Sequence, residues 1–408
     1  MHAFDRRRFL AMAGAVPVAL SPFGGVAWAQ VQPAPRAQPT SPVTTRALGA
    51  GPDWNRTLVL VELHGGNDGL NTVIPHGFDE YYRARPTLAV ARDKVLKIES
   101  RLGLHPSLAP LTRLWEERHL GIALGVGYPR PNLSHFRSIE IWDTGSDSTA
   151  YLDEGWVARL MAEARPPVTF AADGIVLGRD APGPLFGGGL RTVNLKNPEA
   201  VGNEVKRAQM KMSVVKNPAL AHILKVKTEM RHAAESIAQS NYTVADPGVA
   251  FPPEPLGRQM EAAAKLLVAG VKAPVIKVAL GGFDTHSNQA GPHGQLLSQL
   301  ARSLDAFAQA MKKKGLWDNV LVMTYSEFGR RVAENSSRGT DHGTAAAHFL
   351  MGGKVKGGFY GSQPSLANLD RGNLVHALHY RCLLATVGRE WWGLEAPSIK
   401  EKSLGAIA

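Results

Sequence analysis

The sequence predicts an α/β fold with a mostly parallel central sheet flanked by helices on both faces. Three observations predict it. Residues 57–63 (TLVLVEL), 120–126 (LGIALGV), 274–280 (PVIKVAL) and 320–323 (VLVM) are short apolar runs without the alternation of a half-exposed strand, as expected of strands buried on both faces. Each run stops at a cluster of glycine and polar residues, where open α/β sheets build their sites. Stretches with helical spacing separate the runs, among them residues 295–314 with Leu296, Leu300, Leu304, Phe307 and Met311 on one stripe.

The chain opens with a targeting pattern rather than a fold element. Asp5-Arg6-Arg7-Arg8-Phe9-Leu10 is a twin-arginine pattern, a broken apolar run follows, and Ala27-Trp28-Ala29 is a small-residue cleavage site. The apolar run is too short, and too interrupted by Gly and Pro, to span a bilayer. Residues 1–29 are therefore expected to be a signal peptide and the twin-arginine translocase a partner during export, with a periplasmic or secreted destination. Residues 30–50 are rich in Pro, Ala, Gln and Thr and read as a disordered spacer. Residues 51–408 remain as a single domain.

Composition narrows the partners. The formal charge is +11, falling to about +9 without residues 1–29. That favours an anionic small molecule or glycan. The basic residues are scattered, with no nucleic-acid motif, which argues against nucleic acid and equally suits a solvated basic surface. The single cysteine, Cys382, excludes an internal disulfide and a zinc–thiolate cluster; in its apolar surroundings it reads as an inert buried thiol.

The elements then follow in order. Residues 57–63 lead into HGGNDGLN (64–71), which brings Asp68 and Asn71 to the strand's mouth, although N-D-G also makes a plain turn. Residues 106–119 have helical spacing of Leu108, Leu111, Leu114 and Trp115. After the strand 120–126 comes GYPRPNLSHF (127–136), with Ser134 at a helix start: a helix N-cap, or a nucleophile whose anion the helix dipole would favour. Residues 155–164 read as a helix, 168–172 and 174–177 as strands, 178–200 as a loop or lid, and 217–240 and 257–271 as helices joined by a proline-rich connection. The strand 274–280 ends in GGFDTH (281–286). In an extended segment Asp284 and His286 fall on one side and can reach one ion. The strand 320–323 runs into TYSEFGRR (324–331), a polar loop and Asp341-His342-Gly343. Residues 345–352 read as another buried strand, 354–361 as turn-rich, and 373–387 as an apolar helix on which His376 and His379 serve packing.

Four strand-end clusters, HGGNDGLN, PNLSHF, GGFDTH and SEFGR with GTDHG, together with the twin-arginine signal, resemble the DUF1501 family over roughly residues 55–390. The resemblance implies an alkaline phosphatase-like fold, alongside sulfatases, phosphomutases and phosphatases, and a divalent metal (zinc, manganese, calcium or magnesium). Carried over, Asp68 matches the metal-binding Asp after the first strand, and Ser134 stands in the order of the nucleophile. Asp284 and His286 resemble the middle ligand pair at shorter spacing. Glu327 stands where Asp-His is usual, and Asp341 and His342 resemble either that pair, displaced, or the final ligand region. Asn71, Arg137 and Arg330 are candidates to hold the anionic group, Arg for its bidentate grip; Arg330 and Arg331 could instead pair with surface carboxylates. The expected activity is metal-dependent hydrolysis of phosphate or sulfate esters through Ser134. The departure at Glu327 opens a second expectation, a catalytically degenerate exported protein that binds an anionic glycan or serves a secreted assembly.

Overall fold

Nine strands form one sheet among the described residues. The computed structural model describes residues 51–178, 181–195, 228, 232–233, 235–237 and 239–408. The expected signal peptide and spacer, most of the expected helix 217–240 and part of the expected lid 178–200 lie outside these residues. The strands are β1 (Thr57–His64), β2 (Leu120–Gly127), β3 (Gly174–Leu177), β4 (Thr192–Leu195), β5 (Val275–Gly281), β6 (Val320–Tyr325), β7 (Ala346–Met351), β8 (Gly358–Gly361) and β9 (Leu378–His379). Their order is β8-β2-β7-β6-β1-β5-β3-β4, with β9 extending the β8 edge of β2.

All neighbours pair in parallel except β7, which runs antiparallel to both β2 and β6. This exception positions the site. The carboxyl ends of β1, β2, β5 and β6 share one edge of the sheet, and the reversed β7 presents its amino end there. The segment that leads into β7, Asp341-His342-Gly343, thereby reaches the same edge.

Alternation along the strands explains why the runs look uniformly apolar. Val59, Val61 and Leu63 of β1 and Ile276, Val278 and Leu280 of β5 pack with the helices α3 (Pro255–Val268) and α4 (Ala290–Lys313). Leu58, Leu60, Leu321 and Met323 face the opposite layer, with Trp142 of α1 (His135–Thr144), Trp156 of α2 (Trp156–Glu163) and Leu384 of α5 (Arg381–Ala385). Both faces exclude water, so neither set of positions tolerates an unpaired polar group.

One polar cluster interrupts the second layer. Lys277 Nζ lies 2.6 Å from Glu62 Oε2, both buried, and donates to the Ala181 carbonyl at 3.3 Å. Asp143 joins from α1, its carboxyl beside Gly183 and the Lys277 stem and 3.5 Å from the Tyr325 hydroxyl. Burial, reinforced by Glu62 and Glu327, pushes Asp143 up to about 8.

Local expectations fail where apolar spacing cannot tell helix from strand. Residues 373–387 are not one helix: Asn373–Leu374 pairs with Leu369–Asp370, Leu378–His379 pairs with β2, and helix begins only at Arg381. Residues 168–172 turn rather than extend, with Phe170 N–H donating to the Pro167 carbonyl. The turn-rich tail contributes β8, and the expected lid contributes β4, because the sheet's open edges offer unpaired backbone groups to short passing segments. Residues 106–119 begin as a 3-10 helix (Pro106–Leu111) that holds Pro110 before a short α-helix. No helix among the described residues is long and apolar enough to cross a membrane.

The raised Asp143 gives a signed prediction. Its folded state keeps a proton that the unfolded chain releases near pH 4. The stabilisation is complete below that value and is lost as pH rises to about 8. Urea denaturation at a series of pH values should show stability falling across this window, and Asp143→Asn should flatten the slope.

Candidate metal centre

The loop after β6 folds back by pairing with the segment before β7. Arg331 N–H donates to the Asp341 carbonyl at 3.0 Å, Gly343 N–H donates to the Gly329 carbonyl at 2.9 Å, and Arg330 bridges to His342. A Cβ on Gly343 would collide with the Arg330 backbone, so this close antiparallel approach requires glycine. Gly65, at φ 117°, solves the same problem after β1: a Cβ there would lie 2.5 Å from the Asp284 nitrogen.

These approaches bring His135, Asp284, His286 and His342 to one point. One ligand atom each from His135, Asp284 and His342 lies within 4.8 Å of the others. His135 Nε2 is 3.4 Å from Asp284 Oδ2, while His286 Nε2 and His342 Nε2 are 3.0 and 3.1 Å from Asp284 Oδ1 and 3.0 Å from each other.

The outer nitrogens decide what this means chemically. His342 Nδ1 lies 2.8 Å from the Leu133 carbonyl, which only accepts, so Nδ1 donates and Nε2 of the neutral ring carries a lone pair. His135 Nδ1 lies 2.9 Å from Glu327 Oε1, and the same reasoning turns its lone pair toward Asp284. Lone pairs and a carboxylate thus converge, an arrangement that calls for positive charge at its centre. The separations suit a metal ion, since ligands on a tetrahedral ion with bonds of about 2.1 Å sit about 3.4 Å apart. Imidazoles with one carboxylate suit zinc or manganese better than calcium or magnesium, which prefer oxygen.

Asp284 is half exposed but electrostatically pinned. Burial opposes its ionisation, yet the hydrogen bond and positive charge of Arg330 outweigh that and hold its carboxyl well below the usual range. Arg330 itself is buried and committed internally. Its Nε donates to Gly66 O at 2.7 Å, Nη1 to Thr340 O at 2.9 Å, and Nη2 to Asp284 Oδ1 at 2.7 Å, to Phe283 O at 3.0 Å and to Gly65 O.

The other expected residues divide sharply. Glu327 is fully buried and touches His135, as above. Asp341 Oδ1 lies 3.5 Å from His286 Nδ1, on the outer side of that ring, and the Asn335 amide, first, and His286 hold its carboxyl low. Ser134 occupies the N-cap of α1, but its hydroxyl makes no capping bond; it sits exposed between Leu133 and His135, which both contact the cluster.

Asp68 and Asn71 are placed elsewhere. Asp68 Oδ2 accepts from Arg85 Nη1 at 2.6 Å and Gln289 Nε2 at 2.5 Å, and Oδ1 accepts the Leu70 and Asn71 N–H groups. Burial opposes its charge, but Arg85 and these donors hold its carboxyl low. Asn71 Oδ1 accepts from Arg85 and Tyr81, each at 2.8 Å, and its amide donates to Leu88 O. Arg137 points to the following loop, where Nη2 donates to Ser148 O at 3.2 Å and Ala150 O at 2.5 Å and the guanidinium lies 3.9 Å over Tyr151. Of the three expected anion grips, Asn71 and Arg330 are engaged by protein partners, and Arg137, although its buried Nε has no hydrogen-bond partner, is held by the following loop and by Glu140 Oε2, 2.9 Å from its Nη1.

Sequence reasoning missed His135. Its signal was present, an imidazole directly after Ser134 on a strand-end loop, but the serine took the functional reading. His64, whose ring stacks on His135 at 6.3 Å, was likewise passed over as part of a turn.

No curated protein sequence matches the chain. Among solved structures, the lipoteichoic acid synthase LtaP from Listeria monocytogenes is similar at 10% identity and TM-score 0.39, over 86% of this chain and 74% of that one. The phosphonate monoester hydrolase SpPMH from Silicibacter pomeroyi is similar at 11% identity and TM-score 0.37, over 86% and 76%. The C-terminal periplasmic domain of EcEptC from Escherichia coli is similar at 12% identity and TM-score 0.36, over 88% and 87%.

The placement of Asp68 is testable. Asp68→Asn should leave zinc stoichiometry, read by elemental analysis, unchanged. It should lower stability by about 3–5 kcal/mol in denaturant titration, the usual cost of stranding a buried partner such as Arg85. Loss of zinc with stability intact would make Asp68 a ligand.

The model of the family described as "Protein of unknown function (DUF1501)" matches residues 189–388, a span that holds Asp284, His286, Glu327, Asp341 and His342.

Proposed function

We propose that this protein is an exported, metal-dependent hydrolase of phosphate or sulfate esters that uses Ser134 as nucleophile. The observation that carries the proposal is the convergence of imidazole lone pairs and the Asp284 carboxylate, with the exposed Ser134, which makes no capping bond, directly before His135 in the chain. His135, Asp284 and His342 would hold the ion, with His286 completing the set. A bound divalent ion would supply Lewis acidity toward the ester's non-bridging oxygens.

The protein's own groups account for the remaining demands. Ser134 stands at the amino end of α1, where unsatisfied N–H groups and the helix dipole favour an alkoxide and an approaching anion. Ser134 would give its hydroxyl proton to solvent as its oxygen bonds to phosphorus or sulfur and the bond to the leaving group breaks, and the departing alkoxide would take a proton from solvent. Water would then attack the covalent ester, releasing phosphate or sulfate and restoring the hydroxyl. Steering of the anion would fall to the net positive field, since Arg330 is committed internally and Arg137 is turned to the following loop and Glu140.

That same consumption of arginines favours a second reading, a degenerate binding protein that keeps its ion without turnover. A panel of phosphate and sulfate monoesters and diesters, offered to zinc- and manganese-loaded protein, separates the two. Hydrolysis that Ser134→Ala lowers by at least about a hundredfold, with folding and metal content intact, is the expected result. A metal-loaded protein silent across the panel supports the binding protein instead.

Export through the twin-arginine route belongs to the same proposal and rests on Arg6 and Arg7. Replacing both with lysine should strand the protein in the cytoplasm on cell fractionation; unchanged delivery would exclude this route.

A further inference from the structure

We infer that Glu327 is a positioning residue that acts on the metal through His135 rather than as a ligand. The inference rests on the metal-dependent reading of the site. Glu327 ends the β6 segment with its side chain wholly excluded from solvent, whereas the ligand Asp284 is 46% exposed. A buried carboxylate at this position needs partners, and its Oε1 has two. Gly65 N–H donates to Oε1 at 2.8 Å, His135 Nδ1 lies 2.9 Å from the same oxygen, and Ser326 Oγ lies 3.3 Å from Oε2.

Direction settles the role. The two nitrogens of His135 point to opposite sides of its ring. Glu327 meets Nδ1, while Nε2 faces Asp284. An ion bound at Nε2 therefore has the imidazole between itself and Glu327. The carboxylate keeps the proton on Nδ1, keeps the lone pair on Nε2, fixes the ring plane and raises the ring's basicity. The scaffold holds Glu327 in turn. Ser326 Oγ donates to the Leu63 carbonyl at 2.7 Å and accepts the Asn67 N–H at 3.0 Å, so the ends of β1 and β6 are tied beneath it. His135 comes from a third strand end, 192 residues away in sequence, and Glu327 is what registers it against the others.

A double-mutant cycle on the full protein tests this, with zinc and cobalt(II) as the probes. Glu327→Gln, which keeps an oxygen for the Gly65 N–H, should weaken zinc binding about ten- to a hundredfold. His135→Gln should weaken it at least as much. In the His135→Gln background, adding Glu327→Gln should cost nothing further, and cobalt bands should shift in the single Glu327→Gln variant while X-ray absorption counts the same number of imidazoles. A multiplicative loss in the double variant would overturn the inference and make Glu327 a ligand or a general support of the fold. Wild-type affinity in Glu327→Gln would overturn it too. Should Glu327→Gln not fold, Glu327→Asp, which keeps the charge but shortens the reach, must show the same dependence on His135. A wild-type protein that takes up neither ion would overturn the metal reading, and this inference with it.

Discussion

One guanidinium holds the candidate centre together. Arg330 sits buried where the loops after β1 and β5 meet the segment before β7, and it donates to backbone or carboxylate in all three. A planar fork can satisfy several carbonyls at once, which an ammonium on a flexible stem cannot. Desolvating it is costly, and the cost is offset only because its donors meet well-placed acceptors. Asp284 supplies the balancing charge, so the residue that faces the histidines is also the one that keeps Arg330 neutralised.

The same rule governs the other buried charges. Lys277 answers Glu62 in the second layer, and Arg85 answers Asp68 beside the first loop. Arg85 also donates to Arg331 O and Val332 O, so the Asp68 pair braces the loop that carries Arg330. Gln289 links Asp68 to the Thr340 hydroxyl, which adds the start of α4 to the brace. The site thus rests on a nested frame: an outer ion pair orders the loops, Arg330 joins them, and the histidines complete the inner surface.

This frame has a chemical consequence. Arginines that would be natural anion grips are spent on architecture, which leaves Ser134, the helix start and the histidine cluster as the groups available to a ligand. On the proposed function, recognition of a phosphate or sulfate ester would then come from a bound metal and the amino end of α1, with the net positive charge acting at longer range.

Local apolar patterning fixes the strands and the places where chemistry can gather. Burial on both faces demands continuous apolar runs, and that demand is local, so β1, β2, β5 and β6 and their polar ends could be read directly. Asp284 and His286, two residues apart on one extended segment, could be paired for the same reason. Which polar groups meet is set by how these loops come together in space. The reversed direction of β7 brings His342 to the edge, Arg85 claims Asp68, and Glu327 reaches His135 across 192 residues. Apolar burial sums residue by residue along the chain, whereas a hydrogen-bond partner is chosen in space, by loops whose approach no local pattern encodes.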